Sequence, residues 1–407
     1  MKKMITGKKL AWLFAYVYFA SYVTRINFAA VIQEVVTDMG YEKSALSVIL
    51  VCMSVSYGVG QIINGWIGDH IKPQNLIFIG LITATAVNIA FPFFSSRIPF
   101  MCVLWAINGF AQSMMWPPMV KIMVNTMDEV TYGEASVIVS LGSSVGTIFV
   151  YLTAPLIITL FSWQAVLFTS AAIGLISITL WGSIKSRIYD ENAILPEAKA
   201  SSPGKDKRMT FPKEAAFPIV FIVLAVIFQG MLRDGVTNWV PSMLAETFNM
   251  GNGASILCTV SLAAFSMVAY ILAGAYYKKF FKNEVACSAT FFVISTVSAL
   301  LLSMLLNTGA AAAIVFMTLI TGANHGVNLM LIGHVPKRFR KYGNISTISG
   351  AINSCTHIGS AIATYGIAKI SESFGWSVTV ATWLIIAALG AICCSVAMTK
   401  WKRFIEK

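Results

Sequence analysis

The sequence predicts an all-α membrane protein with twelve transmembrane helices in two pseudo-symmetric six-helix bundles. Three observations lead to this prediction. Hydrophobic residues make up 57% of the 407 residues and charged residues only 11%, and the mean hydropathy is +0.75. About twelve apolar stretches approach or exceed the roughly 20 residues that cross a bilayer. Short motifs also recur in the two halves of the chain at a nearly constant separation.

The predicted helices lie between polar breaks in the chain. They cover residues 10–36, 45–68, 74–95, 99–125, 134–160, 164–184, 216–243, 254–276, 285–306, 310–334, 344–369 and 376–399. The first stretch follows a basic start but is too long for a signal peptide and has no small-residue cleavage site. The charged segment 185–215, rich in Pro, Ser and Gly, predicts a cytoplasmic linker between an N-terminal bundle, 1–184, and a C-terminal bundle, 216–407.

Three motif pairs indicate the internal repeat. Arg25 is followed about 210 residues later by Arg233, a TYG at 131 by a KYG at 341, and an FSW at 161 by an FGW at 374. Each pair is weak alone. Their shared separation indicates two copies of one six-helix unit.

The net charge of +12 reflects topology. Most of the 29 Lys and Arg residues lie at the termini or in loops that follow even-numbered helices, while Lys43, Arg97 and Lys369 lie on the opposite side. The positive-inside rule then places both termini in the cytoplasm. We expect a multi-pass monomer in the inner (cytoplasmic) membrane, in contact with the lipid bilayer and without a nucleic-acid partner.

Arg25 and Arg233 are the main candidates for a substrate site. An arginine deep in a transmembrane helix costs about 2.5–3.5 kcal/mol on insertion scales, so it normally faces a water-filled cavity or a partner. Two guanidinium forks from repeat-related helices suit the oxygens of a phosphate or carboxylate. Asp234 follows Arg233 directly and is a possible partner that could tune the arginine or carry a proton, although neighbouring helical residues point about 100° apart and do not face each other.

Further candidates share a helical face or a helix break with these arginines. Tyr18, Tyr22 and Arg25 lie at i, i+4 and i+7. Tyr57 and Gln61 on the second helix lie at i and i+4. On the fourth helix Trp116 precedes Pro117 and Pro118, which remove backbone donors and are expected to kink or open the helix.

Two histidines lie inside apolar segments of the second half. His325 shares a helical face with Asn328, and His357 lies four residues after Asn353. Because a buried histidine usually serves a structural hydrogen bond, a role in substrate binding or proton transfer is one of two open interpretations for each.

Asp69 lies in GWIGDHIKP, residues 65–73, directly after the second helix. This segment resembles the G-x-x-x-D-R loop motif of the major facilitator superfamily, with His70 in the arginine place. The resemblance implies that superfamily's fold, whose halves move about a central site, and a conformational role for Asp69.

A closer resemblance covers nearly the whole chain. YxxxYxxRxNF in the first helix, SYG in the second, WPP in the fourth and LRDGVTNWVPSML in the seventh resemble the organophosphate:phosphate antiporter family. The resemblance implies that Arg25 and Arg233 bind a phosphate group and that Tyr18, Tyr22, Tyr57 and Trp116 line the site. Two positions depart from the family: Gln61 replaces a lysine, and Ser143 replaces a histidine, which makes the site less cationic.

We therefore expect a secondary transporter that exchanges a sugar phosphate or glycerol phosphate for inorganic phosphate by rocker-switch alternating access. Two alternatives stay open: a proton-coupled symporter of a carboxylate such as a hexuronate, in which Asp234 takes part in coupling, and a transporter-like sensor of a sugar phosphate. The chain has no nucleotide-binding loop, no metal-ligand cluster and no extramembrane catalytic triad. We expect no enzyme activity, no cofactor and no metal.

Overall fold

The computed structural model describes residues 4–41, 43–188, 212–250, 252–306, 308–342 and 345–406, and these are helical almost throughout, with no strand among them. Most of the predicted linker, 185–215, therefore lies outside the described residues. Within these described ranges the α-helices are α1 Gly7–Met39, α2 Lys43–His70, α3 Pro73–Ala90, α4 Ile98–Gln112, α5 Trp116–Thr126, α6 Glu129–Leu160, α7 Trp163–Ile184, α8 Lys213–Phe248, α9 Asn252–Phe280, α10 Glu284–Leu305, α11 Ala310–Asn328 and α12 Ile345–Ile405.

Ten helical segments within the described residues are long and apolar enough to cross a membrane. In this set α4 and α5 form one span, Ile98–Thr126, and α11 continues through a π-helix and a 3-10 helix to Tyr342. Helix α12 spans two of the predicted helices, 344–369 and 376–399. Gly375, with a left-handed φ of 77°, marks the kink between them. The all-α membrane fold is thereby confirmed.

Local signals in the sequence explain several helix boundaries. Gly40 ends α1 in the left-handed conformation, which a residue without a Cβ adopts at little cost. Asp128 caps α6 by accepting a hydrogen bond from the Thr131 N–H, and Asn283 caps α10 by accepting from the Val285 and Ala286 N–H groups. These side chains satisfy backbone donors that have no partner within the helix.

The described chain divides into two compact units. Unit 1 comprises Met1–Lys207 and Phe339–Ser354, and unit 2 comprises Arg208–Arg338 and Cys355–Lys407. In unit 1, α2 and α3 both pack on α4; in unit 2, α9 and α10 both pack on α11. The helices therefore pack in the same pattern in both units, as expected for an internal repeat.

Glycines allow the closest helix contacts. A Cβ on Gly142 of α6 would lie 2.2 Å from the Ala15 carbonyl oxygen of α1, and one on Gly146 would lie 2.8 Å from the Phe19 carbonyl oxygen. Close backbone approach through small residues is the usual basis of helix packing in membranes. In unit 1 it brings α6 against the helix that carries Arg25.

Candidate functional site

Arg25 lies on the face of α1 that the sequence predicts, together with aromatic rings. Its guanidinium carbon is 4.3 Å from the centroid of the Tyr57 ring and 5.3 Å from that of Tyr22. Tyr57 itself is buried, and the Tyr18 and Tyr22 rings touch edge to face at 5.2 Å. The electron-rich ring faces attract the cation. Unit 1 therefore holds a half-buried arginine on an aromatic surface.

The helix break at the WPP motif adds a further ring to this group. Helix α4 ends at Gln112, and α5 begins at Trp116, so Pro117 and Pro118 lie in the first turn of the new helix, where missing N–H groups cost least. The Trp116 ring lies 5.5 Å from that of Tyr18. Its indole Nε1 is buried, with no hydrogen-bond partner among the described residues.

Gln61 and Ser143 are both buried in unit 1. The Gln61 Nε2 donates to the Ser113 carbonyl at 3.5 Å, while its Oε1 has no partner within the described chain. The Ser143 hydroxyl donates to the Ser140 carbonyl of its own helix at 2.7 Å. Both side chains are neutral in positions where the resembled family carries cationic or titratable ones.

Arg233 and Asp234 pair, although neighbouring helical residues point about 100° apart. Arg233 Nε donates to Asp234 Oδ1 at 2.7 Å, and Nη2 donates to Oδ2 at 2.9 Å. The long arginine side chain folds along α8 and closes the angle that separates the two Cα–Cβ directions. Bidentate geometry makes this a strong contact, and both side chains stay partly exposed, at 16% and 24%.

Helix α12 brings further polar groups to this pair. His357 is close enough to the Asp234 carboxylate to act on its charge, and the Ser360 hydroxyl donates a hydrogen bond to it. The two helices approach closely, because Cβ atoms on Gly230 and Gly359 would lie 2.1 Å and 2.0 Å from backbone carbonyl oxygens of the partner helix. This packing makes His357 a neighbour of Asp234, whereas the sequence pairs it only with Asn353.

His325 faces a residue that the sequence analysis missed. Its Nδ1 lies 3.0 Å from the Tyr270 hydroxyl, and the two rings meet edge to face at 5.1 Å. Arg233 and Asp234 are close enough to His325 to act on its charge. Asn328 is half-buried one turn further along α11. The repeat could have identified Tyr270, because it follows Gln61 by the same separation of about 210 residues that relates Arg25 to Arg233.

Asp69 caps a helix start within unit 1. Its Oδ1 accepts from the Ser346 N–H at 3.1 Å, and its Oδ2 accepts from the Thr347 N–H at 2.8 Å and the Thr347 hydroxyl at 2.7 Å. Lys121 lies 3.7 Å from Oδ1. A carboxylate at a helix N-terminus satisfies free donors and matches the helix dipole. The first turn of α12 is thus attached to the end of α2.

The described residues contain no group of three or more His, Cys, Asp and Glu side chains placed to hold a metal ion. In unit 1 the described polar groups around Arg25 are mainly hydrogen-bond donors, namely its guanidinium, the tyrosine hydroxyls and the Trp116 indole N–H. Such a set suits a small anion.

The profile of the Major Facilitator Superfamily matches residues 14–364, most of the chain. The chain belongs to the Major Facilitator Superfamily. This membership makes it a transport-family protein and not an enzyme, and with its many apolar helices it is a multi-pass membrane protein.

Two curated relatives show which transporters the chain is similar to. The chain is 26% identical to the glycerol-3-phosphate transporter of Bacillus subtilis over 388 residues, 88% of this chain and 85% of the relative. It is 24% identical to a probable hexose phosphate transport protein of Chlamydia muridarum over 396 residues, 89% and 84% of the two chains. These relatives confirm the predicted resemblance to organophosphate transporters.

The structural comparison supports the same fold. The proton:xylose symporter XylE, solved with 6-bromo-6-deoxy-D-glucose, has a TM-score of 0.73 and 12% identity to this chain. The match covers 95% of this chain and 93% of that one.

Proposed function

We propose that the protein is a secondary transporter of a small phosphorylated organic anion, such as a sugar phosphate or glycerol phosphate, exchanged for inorganic phosphate by rocker-switch alternating access. The observation that carries this proposal is the pair of partly exposed arginines at repeat-related positions of α1 and α8. Arg25 in unit 1 and Arg233 in unit 2 each carry a guanidinium fork whose geometry suits phosphate oxygens. The names of the curated relatives support the phosphate class.

Arg25 recognises the anion from the aromatic surface of unit 1. Cation–π contacts with Tyr22 and Tyr57 hold the guanidinium in place, and its planar fork makes charge-assisted bidentate hydrogen bonds to phosphate oxygens. The buried Trp116 Nε1 is a further donor for the substrate. The Gln61 Oε1 is an acceptor suited to a hydroxyl of the organic part.

Arg233 binds the anion by exchanging partners. Its fork is filled by Asp234 in the structure, and a phosphate oxygen pair offers the same bidentate geometry with more charge. His357 and Ser360 then keep the released carboxylate hydrogen-bonded. His325, its partner Tyr270 and the nearby Asn328 contact the organic part, and Ser143 lines the path in unit 1.

The location of the protein and its orientation in the membrane are part of this proposal. We place the protein in the inner membrane as a monomer with both termini in the cytoplasm, because the positive charge is concentrated in the loops on that side. In this orientation the outward gradient of cytoplasmic phosphate drives uptake of the organic phosphate without ATP.

The test is exchange in proteoliposomes loaded with radiolabelled inorganic phosphate. External glycerol 3-phosphate or glucose 6-phosphate is expected to release the label, whereas buffer alone leaves it inside. Retention of the label with every organic phosphate tried would refute phosphate exchange. Binding of a sugar phosphate to the purified protein without any flux would indicate a sensor.

A second candidate function is proton-coupled symport of an organic carboxylate. The ion pair of Asp234 with Arg233, and the electrostatic effect of His357 on the same carboxylate, favour it, since a carboxylate near both a cation and an imidazole can exchange a proton as its partners change. Uptake of glucuronate driven by an imposed pH gradient, and lost in Asp234→Asn, would select this function over phosphate exchange.

A further inference from the structure

A buried polar network surrounds the turn of α1 that leads into Arg25. It consists of Ser21, Thr24, Asn27, Asn88, Asn108 and Gln112, and each is at most 3% exposed. We call this set the α1 network. Three members belong to α1, Asn88 belongs to α3, and the other two to α4. Amides in a membrane-buried bundle are costly unless they are bonded, so such a concentration of them calls for a specific role.

The backbone carbonyl of Thr24 is the centre of the α1 network. It accepts hydrogen bonds from the Asn88 Nδ2 and the Asn108 Nδ2, each at 2.9 Å. The Thr24 hydroxyl accepts from the Gln112 Nε2, also at 2.9 Å. This carbonyl belongs to the peptide group that joins Thr24 to the nitrogen of Arg25. Two side chains from neighbouring helices therefore set the orientation of the peptide group that precedes the arginine.

The outer bonds of the α1 network hold the side-chain amides of Gln112, Asn88 and Asn27 in place. The Gln112 Oε1 accepts from the Ser21 hydroxyl, and the Asn88 Oδ1 accepts from the Asn27 Nδ2 at 2.6 Å. The Asn27 Oδ1 accepts from the Phe28 N–H at 2.9 Å, on the turn that follows Arg25. A satisfied network in a low-dielectric interior is rigid, because each amide has little freedom to reorient.

The α1 network also links Arg25 to the break between α4 and α5. Gln112 is the last residue of α4, and Trp116 opens α5 against the Tyr18 ring. The turn that leads into Arg25 is therefore bonded to the residue directly before the break, and Tyr18, two turns earlier on α1, contacts the ring directly after it. A change in the direction of α1 at Thr24 is transmitted to both sides of the Arg25 surface.

We propose that Asn88, Asn108 and Gln112 are positioning residues for Arg25, which aim its guanidinium at the substrate anion without touching the substrate. This inference rests on the proposed function for the identity of the anion. Apolar residues of the same size would fill the space between α1, α3 and α4 equally well. The amides add directional hydrogen bonds to the Thr24 carbonyl and hydroxyl, which apolar side chains cannot make.

The test removes the amides with little change of volume, as Asn88→Leu, Asn108→Leu and Gln112→Met. Affinities for inorganic phosphate and glycerol 3-phosphate are measured on purified protein. We expect each change to weaken binding about tenfold, because a guanidinium that is no longer aimed at the anion loses part of its bidentate contact. In an Arg25→Lys background the same changes are expected to have no further effect, since the fork that they aim is gone.

Gln74→Met is the matched control, because it removes a buried amide from the first turn of α3, in the same unit and helix as Asn88. It is expected to leave affinity unchanged. The α1 network would have a purely structural role if the three changes lowered affinity equally in the wild-type and Arg25→Lys backgrounds. A loss of affinity in Gln74→Met as large as in the three variants would lead to the same conclusion. Where the leucine variants do not fold, Thr24→Val removes the acceptor of Gln112 with almost the same shape.

A second measurement keeps this inference separate from the proposed function. Phenylglyoxal modification of Arg25 is followed by mass spectrometry without any added anion. Asn88→Leu and Asn108→Leu are expected to change its rate severalfold, and Gln74→Met is not. Wild-type protein that binds neither phosphate probe would refute the proposed function alone, whereas an unchanged labelling rate would refute the positioning role.

Discussion

The two arginines are stabilised by different partners. A guanidinium keeps its proton under all ordinary conditions, so inside a membrane bundle it must face ring faces, carboxylates, carbonyls or water. Arg25 lies against the rings of Tyr22 and Tyr57, and Arg233 is bonded by its own neighbour Asp234. At the scale of single residues, unit 1 therefore presents a cation on an aromatic surface, and unit 2 presents an ion pair.

Arg25→Lys separates charge from geometry. Lysine keeps the positive charge but loses the planar fork, so we expect phosphate and organophosphate affinity to fall at least about tenfold while the thermal midpoint changes little. Isothermal titration on purified protein measures the first and a thermal-shift assay the second. The matched control is Arg97→Lys, at the start of α4 and 6.0 Å from the Phe100 ring. Equal affinities of wild type and Arg25→Lys would contradict bidentate recognition.

Asp234→Asn tests the partner exchange at Arg233. The amide keeps the shape of the carboxylate and loses its charge, so it competes less well with an incoming anion. We expect the affinity for inorganic phosphate to rise severalfold, and to do so only where Arg233 is present. Titration of the single variants and of the Asp234→Asn, Arg233→Gln double variant gives this coupling. A fall in affinity in the single variant would show instead that Asp234 supports binding.

At the scale of elements, close glycine contacts decide which side chains meet. Gly142 and Gly146 bring α6 against α1 in unit 1, and Gly230 and Gly359 bring α8 against α12 in unit 2. The second contact places His357 and Ser360 beside Asp234. Without it, the ion pair on α8 would lack its partners on α12.

Gly359→Ala tests this contact, with Gly366→Ala on the same helix as the control. A Cβ at Gly359 would lie 2.0 Å from the Ile227 carbonyl oxygen, whereas one at Gly366 meets nothing within 4 Å. We expect the first change to cost about 1–3 kcal/mol through forced backbone movement. The second is expected to be neutral or to gain up to about 1 kcal/mol from helix propensity. Thermal midpoints in detergent compare the two; similar midpoints would mean that α8 and α12 are not in tight contact.

At the scale of the whole molecule, apolar helices and basic loops set the architecture. Ten segments of the described chain have the length and composition of membrane spans, and membership of the superfamily accounts for the paired packing in both units. The charge asymmetry of the loops then orients the chain, because positively charged loops are retained on the cytoplasmic side.

Reporter fusions test that orientation. Alkaline phosphatase, which is active outside the cytoplasm, is expected to be inactive when fused after Lys407 or after residue 200 and active when fused after Arg97. Green fluorescent protein is expected to give the opposite pattern. A phosphatase-active fusion at the C-terminus would reverse the proposed topology.

Much of the fold follows from composition and periodicity. The length of apolar stretches decides that helices cross the membrane, and the repeated motifs indicate two similar units; both inferences need only the order of residues along the chain. The boundaries at Gly40, Asp128 and Asn283 are local capping signals. The break at Pro117 and Pro118 is also local, because proline removes the donor that a continuing helix needs.

The sequence by itself determined the membrane fold, the family resemblance, the two arginines and the tyrosine face of α1, because each depends on composition or on spacing within one helix. Only the tertiary structure decided that Arg233 folds back on Asp234, that Tyr270 meets His325, and that Asn88, Asn108 and Gln112 converge on Thr24. A helix face gives the direction of a side chain. Its rotamer, and the partner that a neighbouring helix brings to it, depend on packing between residues far apart in the chain.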